Sequence, residues 1–258
     1  MRHGEPDVRG YAVTHPAGRL VLPQAVGWDQ LIFASRGVMT AHTDGDRWTI
    51  PRHRALWVPS GIRHRLDVVA NTSLRTLYLR AGLRALPPHC RIVNVTPLLH
   101  ELILHTVGTA PLWLADERHA HLVAVLLDQL AALPPDAALV LPMPTDPRCL
   151  AIAQQLQQDV GADVPVSALC QQNCIGRRTL ERLYLAETGL TFGQWRRRLR
   201  MLEAIRRLGI GDSVATTAHL VGYATPSAFS AAFRAELGVP PLHYSRAVGP
   251  SAYHPDHA

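Results

Sequence analysis

The stretch RRTLERLYLAE combines side chains that can read the edges of nucleic-acid bases. Helical spacing puts four charged residues on the face opposite an apolar stripe: Arg177, Arg178, Glu181 and Arg182. An Arg guanidinium can donate two hydrogen bonds to guanine O6 and N7, and a Glu carboxylate can accept one from cytosine N4. A solvated surface helix would also carry Arg and Glu, so this interpretation depends on the turn that precedes the stretch.

A second stretch, TPSAFSAAFRAELG, has the same apolar period but carries fewer charges. Thr225 and Pro226 predict its first residues, because Thr is a good helix N-cap and Pro is favoured at the first helical position. Its outward residues are Ser227, Ser230, Ala231 and Arg234. Such a short polar face is suited to phosphate contacts through Ser and Arg, so we expect the first stretch to supply most sequence discrimination.

Each stretch is the second half of a repeated unit, ALCQQNCIGRRTLERLY and TAHLVGYATPSAFSAAF. Both copies place a small residue in a first helix (Cys170, Ala218) and close a tight turn with an apolar residue (Ile175, Tyr223). This plan is typical of a helix-turn-helix. Between the copies, TFGQWRRRLRMLEAIRRLG predicts one long linking helix. The two units therefore predict a reader of two adjacent major-groove segments.

Charge is concentrated in the same region. The chain has 258 residues, 47% of them hydrophobic, and a net charge of +6 carried entirely by Arg on the basic side. Between residues 176 and 207 there are nine Arg and three Glu, so this segment alone accounts for the net charge. The composition excludes a disordered chain and favours a polyanionic partner. Arg197, within the Arg run of the linking helix, is expected to contact phosphates.

Residues from about 11 to 95 change to short apolar runs separated by Gly, Pro, Asn and Asp, which predicts many short strands in a small barrel or sandwich. Within this region PSGIRH resembles the PxGxxH motif of the cupin superfamily. The resemblance implies that His64 points inward, and it aligns the HxH pair of metal cupins with Gln24 and Val26 and their acid with Gln30. One imidazole without a second His or a carboxylate is a poor metal site, so we expect neither metal nor cofactor.

A barrel without metal can still bind a small organic molecule, since such pockets are mostly apolar with a few polar groups. The candidate effector-binding residues are Trp28, Gln30, Trp57 and His64. The alternative for the Trp residues is that they belong to the core.

Helical periodicity returns between residues 96 and 133, and then five prolines crowd the stretch LPPDAALVLPMPTDP. The two predicted helices could pack on the barrel or pair between subunits. Proline at such density disfavours both helix and strand, so residues 134–147 are predicted to be an interdomain linker.

The run from Cys149 to Arg246, with both turns and both glycine closures in order, resembles the DNA-binding domain of the AraC family. The resemblance implies a two-domain α+β protein with these parts: residues 1–95, a cupin-like effector-sensing barrel; 96–133, flanking helices that commonly form the dimer contact; 134–147, a linker; 148–247, two helix-turn-helix units; and 248–258, a tail. It puts Arg178, Glu181 and Arg182 on the base-reading face of the first unit, and Pro226, Ser227, Ser230 and Ala231 on that of the second. Cys174 departs from the pattern, because the family usually has Gly there.

The leading hypothesis is a transcription regulator, not an enzyme, that binds double-stranded DNA under control of a small-molecule effector. The resemblance further implies a homodimer, and RNA polymerase as a partner if the protein is an activator. The alternatives are a metal-dependent cupin enzyme with an appended helical domain, and a constitutive DNA-binding protein whose barrel only dimerises. The N-terminus shows no signal peptide and the chain no membrane-length apolar run, so a cytoplasmic location is expected.

Overall fold

The computed structural model describes residues 4–20, 22, 26–43, 45–69, 72–84 and 86–245, and it divides into a two-sheet region and a helical half. The predicted tail at 248–258, the aligned position Gln24 and Arg246 at the end of the AraC-like run lie outside these residues. The strands are β1 (Val8–His15), β2 (Gly18–Leu20), β3 (Trp28–Arg36), β4 (Val38–His42), β5 (Asp46–Pro51), β6 (Arg54–Val58), β7 (Arg65–Val68), β8 (Thr72–Arg80), β9 (Arg91–Asn94) and β10 (Val140–Pro142). The helices are α1 (Pro97–Thr109), α2 (Glu117–Ala132), α3 (Pro147–Gln158), α4 (Val166–Gln172), α5 (Arg177–Thr188), α6 (Phe192–Ile210), α7 (Val214–Leu220) and α8 (Pro226–Leu237).

The strands form two antiparallel five-stranded sheets, in the orders β1-β8-β3-β6-β9 and β10-β5-β4-β7-β2. Alternate residues of each strand point to opposite faces, and the inner faces bury one shared apolar cluster. Ile32 and Leu56 come from the first sheet, and Met39, Trp48 and Ile50 from the second. The predicted β-rich N-terminal half is therefore confirmed as two stacked sheets.

Helices α1 and α2 cover the outer face of the first sheet. Leu99 and Leu126 pack there with Leu31, Phe33 and other outward residues of β3, β6 and β8 in a second apolar cluster. Periodicity left open whether these helices pack on the barrel or pair between subunits, and in the structure they pack on the sheet. Each still leaves one large apolar side chain in solvent, Leu98 at 54% exposure and Val125 at 45%.

The proline-rich segment is structured, and the expectation that it breaks strand pairing is wrong for residues 140–142. Strand β10 pairs antiparallel with β5, with Val140 opposite Trp48 and Pro142 opposite Asp46. Because β10 is an edge strand, its proline removes no hydrogen bond from an inner ladder. Leu139 and Leu141 are fully buried in the shared core, so apolar burial holds the segment on the sheet.

Helix α6 is the central element of the helical half. A capping box between Thr191 and Gln194 begins it, and Gly211 ends it with φ of 110°, a left-handed conformation that favours glycine. Its buried stripe carries the large side chains Trp195 and Leu199 and continues to Leu208. Other helices pack around this stripe, and so does the second sheet.

The two-sheet region and the helical half share a continuous core. The Trp195 indole N–H donates to the Pro142 carbonyl at 2.7 Å. Farther along α6, a Cβ added to Gly209 would lie 2.9 Å from Val38 Cγ1 of β4, so glycine permits this close approach. The segment predicted as a linker therefore lies inside a packed junction.

Candidate nucleic-acid interface

The two repeated units have matching turns. In the first unit the Ile175 N–H donates to the Cys170 carbonyl at 3.0 Å, and in the second the Tyr223 N–H donates to the Ala218 carbonyl at 2.9 Å. The residue before each donor is left-handed, Cys174 with φ of 49° and Gly222 with φ of 80°. Cys174 thus adopts the conformation that the usual glycine would adopt, at a small steric cost.

The exposed face of α5 carries three Arg side chains that form no ion pair within the described residues. Arg177, Arg178 and Arg182 are all exposed, while Leu180 and Tyr184 on the opposite side are buried. The helix begins at Gly176 and ends at Gly189, as the sequence predicts. Because none of these three guanidinium groups pairs with a described carboxylate, their donors are available to an external acceptor.

Glu181 forms a contact within the chain that its outward spacing did not predict. Its side chain is half-buried, and Oε2 accepts a hydrogen bond from the backbone N–H of Phe192 at 3.2 Å. Phe192 is the first residue of α6, where a carboxylate stabilises both the free N–H group and the positive end of the helix dipole. The carboxylate thus connects α5 to α6, which its spacing among the outward residues could not reveal.

The exposed face of α8 is short and mostly uncharged. Thr225 caps the helix by accepting from the Ala228 N–H at 3.2 Å, and Pro226 occupies the first turn, as predicted. Ser227 and Arg234 are exposed, and Ser230 is half-buried. This face offers two hydroxyl groups and one guanidinium group.

Most of the Arg run on α6 is engaged within the chain. Arg196 donates to the Val164 and Ala162 carbonyls at 2.9 and 2.7 Å, and Arg198 donates to Glu236 and the Ala137 carbonyl at 3.5 and 3.3 Å. In contrast, Arg197 is exposed and forms no ion pair in the described part of the chain. Of Arg196, Arg197 and Arg198, only Arg197, the predicted phosphate ligand, is exposed to solvent.

Glu203 forms ion pairs with two further Arg side chains at the junction. Arg206 Nε lies 2.7 Å from Glu203 Oε2, and Arg207 Nε lies 3.0 Å from Oε1. Burial by itself would raise the pKa of Glu203, but the hydrogen bonds and charges of Arg206 and Arg207 lower it overall. Arg47 of β5 is close enough for its charge to interact with Glu203. These arginines therefore stabilise the fold and are not free for phosphates.

Backbone packing joins the two units. A Cβ on Gly161, after α3, would lie 2.5 Å from the Leu220 carbonyl oxygen, and one on Gly222 would lie 2.7 Å from the Gly161 carbonyl oxygen. The Arg200 guanidinium lies against Gly222, and its Nη2 atom would be 3.0 Å from a Cβ added there. The second turn is thus fixed against the loop that precedes the first unit.

The predicted effector residues separate onto two faces of the first sheet. Gln30 lies opposite Tyr78 in the β3–β8 register, and Gln30 Oε1, Tyr78 Oη and Thr76 Oγ1 are buried without a hydrogen-bond partner among the described residues. Trp57 instead belongs to the outer cluster under α1 and α2, and its indole N–H donates to the Pro87 carbonyl at 3.1 Å. Trp57 therefore does not line the space between the sheets, because odd and even strand positions face opposite ways.

Two more predicted effector residues lie near the end of the sheets. His64 is buried, Nδ1 lies 3.2 Å from the Ile62 carbonyl, and burial lowers the pKa of the imidazole. Trp28 is buried beneath the Arg9 guanidinium, which lies 4.2 Å from its ring centroid. Tyr78 and Thr76 were missed from sequence, although their alternation in LRTLYLR puts both on the face of Leu74. Among the described residues no group of three or more His, Cys, Asp or Glu is placed to hold a metal ion.

Comparison with known proteins gives two agreeing results. A family described as a helix-turn-helix domain matches residues 169–247, which include both turns and the exposed faces of α5 and α8. The HTH-type transcriptional regulator NimR of Escherichia coli is 32% identical over 233 residues, covering 88% of this chain and 84% of NimR. The chain belongs to the AraC family of transcription regulators.

Other similar proteins match a smaller share of the chain. The activator RhaS of Pectobacterium atrosepticum is 39% identical over 80 residues, which is 31% of this chain and 29% of RhaS. The solved DNA-binding domain of AdpA, in complex with a target DNA, is 30% identical, with a TM-score of 0.36, and covers 39% of this chain and 90% of that one.

Membership of the AraC family makes the chain a DNA-binding transcription regulator and not an enzyme. No helix among the described residues combines the length and apolar character needed to cross a membrane.

Proposed function

We propose that the first unit, α4–α5, reads base edges in the major groove through Arg178 and Arg182, with Arg177 beside them. The observation that carries this assignment is the contrast between α5 and α6. The α5 guanidinium groups are exposed and form no ion pair with any residue that the structure describes, whereas Arg196, Arg198, Arg206 and Arg207 are occupied. Glu181 supports α6 from α5, so its proposed role is to position the reading helix.

The second unit, α7–α8, anchors the DNA backbone in this proposal. Ser227, Ser230 and Arg234 supply two hydroxyls and one cation, which suit phosphate oxygens and carry little base information. Helix α6 has 19 residues and is therefore about 28 Å long, close to the roughly 34 Å of one turn of B-DNA. A rigid helix of this length suits two helix-turn-helix units that enter successive major-groove segments.

The two-sheet region is proposed to be the cupin-like sensor, with a small-molecule effector between the sheets. The proposed effector-binding residues are Trp28, Gln30 and His64, as predicted, together with Thr76 and Tyr78. Trp57 is left out because it lies on the other face of the sheet. Gln30 Oε1, Tyr78 Oη and Thr76 Oγ1 are buried without a hydrogen-bond partner among the described residues, which favours a ligand that supplies complementary hydrogen bonds.

Self-association through α1 and α2 is the proposed basis of a homodimer. Leu98 and Val125 are exposed apolar residues on the outward side of this helix pair. RNA polymerase becomes a further partner if the regulator activates transcription.

Selection of bound DNA from a random pool tests the reading assignment. We expect one enriched motif with most information in one half-site. Arg182→Ala should weaken binding to the selected site by about 1–3 kcal/mol while leaving random DNA less affected. Arg118→Ala is the matched control, because Arg118 is an exposed cation on α2. Equal losses on selected and random DNA would contradict base reading by α5.

A further inference from the structure

A cleft opens at the end of the two sheets where the β4–β5 turn approaches the loop that contains Gly61. Its volume is about 260 Å³. Its lining combines one indole, one carboxylate, one thiol and one guanidinium with two glycines, one threonine and one isoleucine: Thr43, Gly45, Asp46, Trp48, Gly61, Ile62, Arg63 and Cys90. A space of this size fits a small organic molecule of about ten non-hydrogen atoms.

Strand alternation places the carboxylate and the indole on the same wall. Asp46 and Trp48 are two residues apart on β5, so both side chains point to one face, while Arg47 between them points to the helical half. The Trp48 indole N–H donates to Thr43 Oγ1 at 3.1 Å, which fixes the orientation of the ring. The wall thus offers a fixed aromatic surface next to an anionic group.

The Asp46 carboxylate has no cationic partner in the part of the chain that the structure describes. Burial raises the pKa of Asp46, and no neighbouring positive charge offsets this effect. On the opposite wall, burial and then the negative charge of Asp46 raise the pKa of the Cys90 thiol to about 11, which keeps the thiol neutral. A half-buried carboxylate without a counter-ion is stabilised by an added cation.

We propose that this cleft binds a small organic cation, with its protonated nitrogen on Asp46 and its apolar body against the face of Trp48. A carboxylate paired with an indole is suited to such a ligand because the first supplies a charge-assisted hydrogen bond and the second an aromatic surface for the ligand's apolar body. Arg63 is exposed at the rim and is no part of this pairing. None of the residues assigned above to the site between the sheets lines this cleft, so the cleft is a second ligand site of the two-sheet region. It rests on the proposed function in one respect, namely that this region senses small molecules.

The cleft wall is hydrogen-bonded to the junction with the DNA-binding helices. The Gly45 carbonyl accepts from the Met143 N–H at 3.1 Å, and Pro142 pairs with Asp46. Beyond them, the Thr145 and Asp146 N–H groups donate to Glu187 Oε2 at 2.7 and 3.0 Å. Glu187 lies in the last turn of α5. A ligand that displaces the Asp46 end of β5 therefore acts on the reading helix through one short strand, β10.

Benzylamine, which is cationic at neutral pH, is a suitable probe, with benzyl alcohol and benzoate as its neutral and anionic counterparts. Calorimetric titration of the full chain should show saturable benzylamine binding that is tighter than binding of either counterpart. Asp46→Asn should weaken benzylamine binding about tenfold or more and leave benzyl alcohol unchanged. Asp128→Asn, which removes one exposed carboxylate from α2, is the charge-matched control and should bind like the parent.

Equal benzylamine affinity in the Asp46→Asn and Asp128→Asn variants would overturn the proposal, as would tighter binding of benzoate or benzyl alcohol by the parent protein. The comparison of the three probes needs no variant, so it remains decisive if Asp46→Asn does not fold. All these titrations are made without DNA. A failed DNA selection with intact benzylamine binding would overturn the DNA-reading assignment alone, and the reverse result would overturn the cation site alone.

A final titration in the presence of selected DNA tests the connection through β10. Because coupling between two sites is reciprocal, DNA should change the benzylamine dissociation constant by about fivefold or more. An unchanged constant would overturn the connection.

Discussion

Neighbouring arginines on α6 differ in what they contact, and the difference assigns each one a separate role. The Arg196 guanidinium donates to two carbonyls of the loop before α4, and Arg198 pairs with Glu236. Arg197 between them is exposed. At the scale of single residues, Arg197 is therefore the member of this run available to DNA phosphates, whereas its neighbours hold helices together.

Replacing Arg197 with Ala should weaken binding to selected and random DNA by similar factors. Loss of one phosphate contact should also reduce the slope of log K against log salt by about one unit. Electrophoretic or fluorescence titrations between low and physiological salt measure both quantities. An unchanged slope would contradict a phosphate contact, and Arg118→Ala again provides the control for the loss of one surface charge.

Glu203→Gln should destabilise the fold by about 2 kcal/mol at neutral pH, because in a mostly buried position Arg206 would lose its ion-pair partner and Arg207 would keep only Asp212. The folded-state pKa of Glu203 lies below its ordinary value of 4.5, so the stabilisation is complete above that value and is lost as the pH falls through the folded-state pKa. Urea unfolding at several pH values measures this.

The difference in unfolding free energy between parent and Glu203→Gln should therefore shrink once the pH falls below 4.5. Glu101→Gln, an exposed carboxylate on α1, should be nearly neutral throughout. A pH-independent difference would mean that the carboxylate's charge is not what stabilises the junction.

Spacing within α5 and α6 predicted which residues face away from the apolar stripe, and Arg178 and Arg182 are indeed exposed. It could not predict the partners of Glu181 or Arg198, since Phe192 and Glu236 come from other elements. The same limit explains Trp57. Tryptophan is a residue type that suits a pocket, but the face of the sheet to which Trp57 points depends on the strand register. A shift of one residue in that register would turn the side chain to the opposite face.

Elements in this chain are fixed to one another by close backbone contacts as much as by side chains. The α7–α8 turn at Gly222 lies against the loop at Gly161, and α6 runs between the two units. This packing sets the relative orientation of α5 and α8, which simultaneous entry into two groove segments requires. Sequence indicated the helices and their glycine ends, but the contact between Gly161 and Gly222 joins positions too far apart for periodicity to show.

Gly222→Ala should therefore be more harmful than Gly189→Ala, although both glycines have positive φ. An added Cβ at Gly189 has no atom within 4 Å, whereas one at Gly222 meets the Gly161 carbonyl and Arg200. We expect the first substitution to cost about 1 kcal/mol and the second about 3 kcal/mol. Thermal unfolding measures both, and equal costs would show that left-handed backbone strain, not inter-unit packing, explains the loss at Gly222.

At the scale of the whole molecule, the two-sheet region and the helical half form one packed body in this structure. Helix α6 crosses the outer face of the second sheet, and Trp195, Arg47 and Gly209 all contact the opposite half. The β-rich and helical halves could be predicted from the change of hydrophobic period. Their contact could not, because the prolines at 134–147 indicated a linker and gave no sign that Leu139 and Leu141 are buried.

A disulfide between Val38→Cys and Gly209→Cys should form under mild oxidation, because β4 and α6 are in contact at these positions. An added Cβ at Gly209 lies 3.2 Å from Val38 Cβ, just short of the roughly 3.5–4.5 Å found in disulfides. The background should carry Cys174→Ser, because Cys174 is the exposed native cysteine among the four. Gel mobility under non-reducing conditions reports the cross-link, and its absence from a folded double variant would contradict the contact.

The pairing of β10 with β5 limits how this regulator can be recombined with its relatives. Recombination just after the prolines would give the incoming helical half a foreign strand in place of β10, so the Trp195 indole and the Glu187 carboxylate would face unmatched backbone. A hybrid that keeps residues 139–146 with their own α5 and α6 would preserve these hydrogen bonds but would need a compatible β5. The exchangeable unit in this protein is therefore the helical half together with its edge strand β10. A hybrid with a different two-sheet region should fold only when β10 and the helical half come from the same protein.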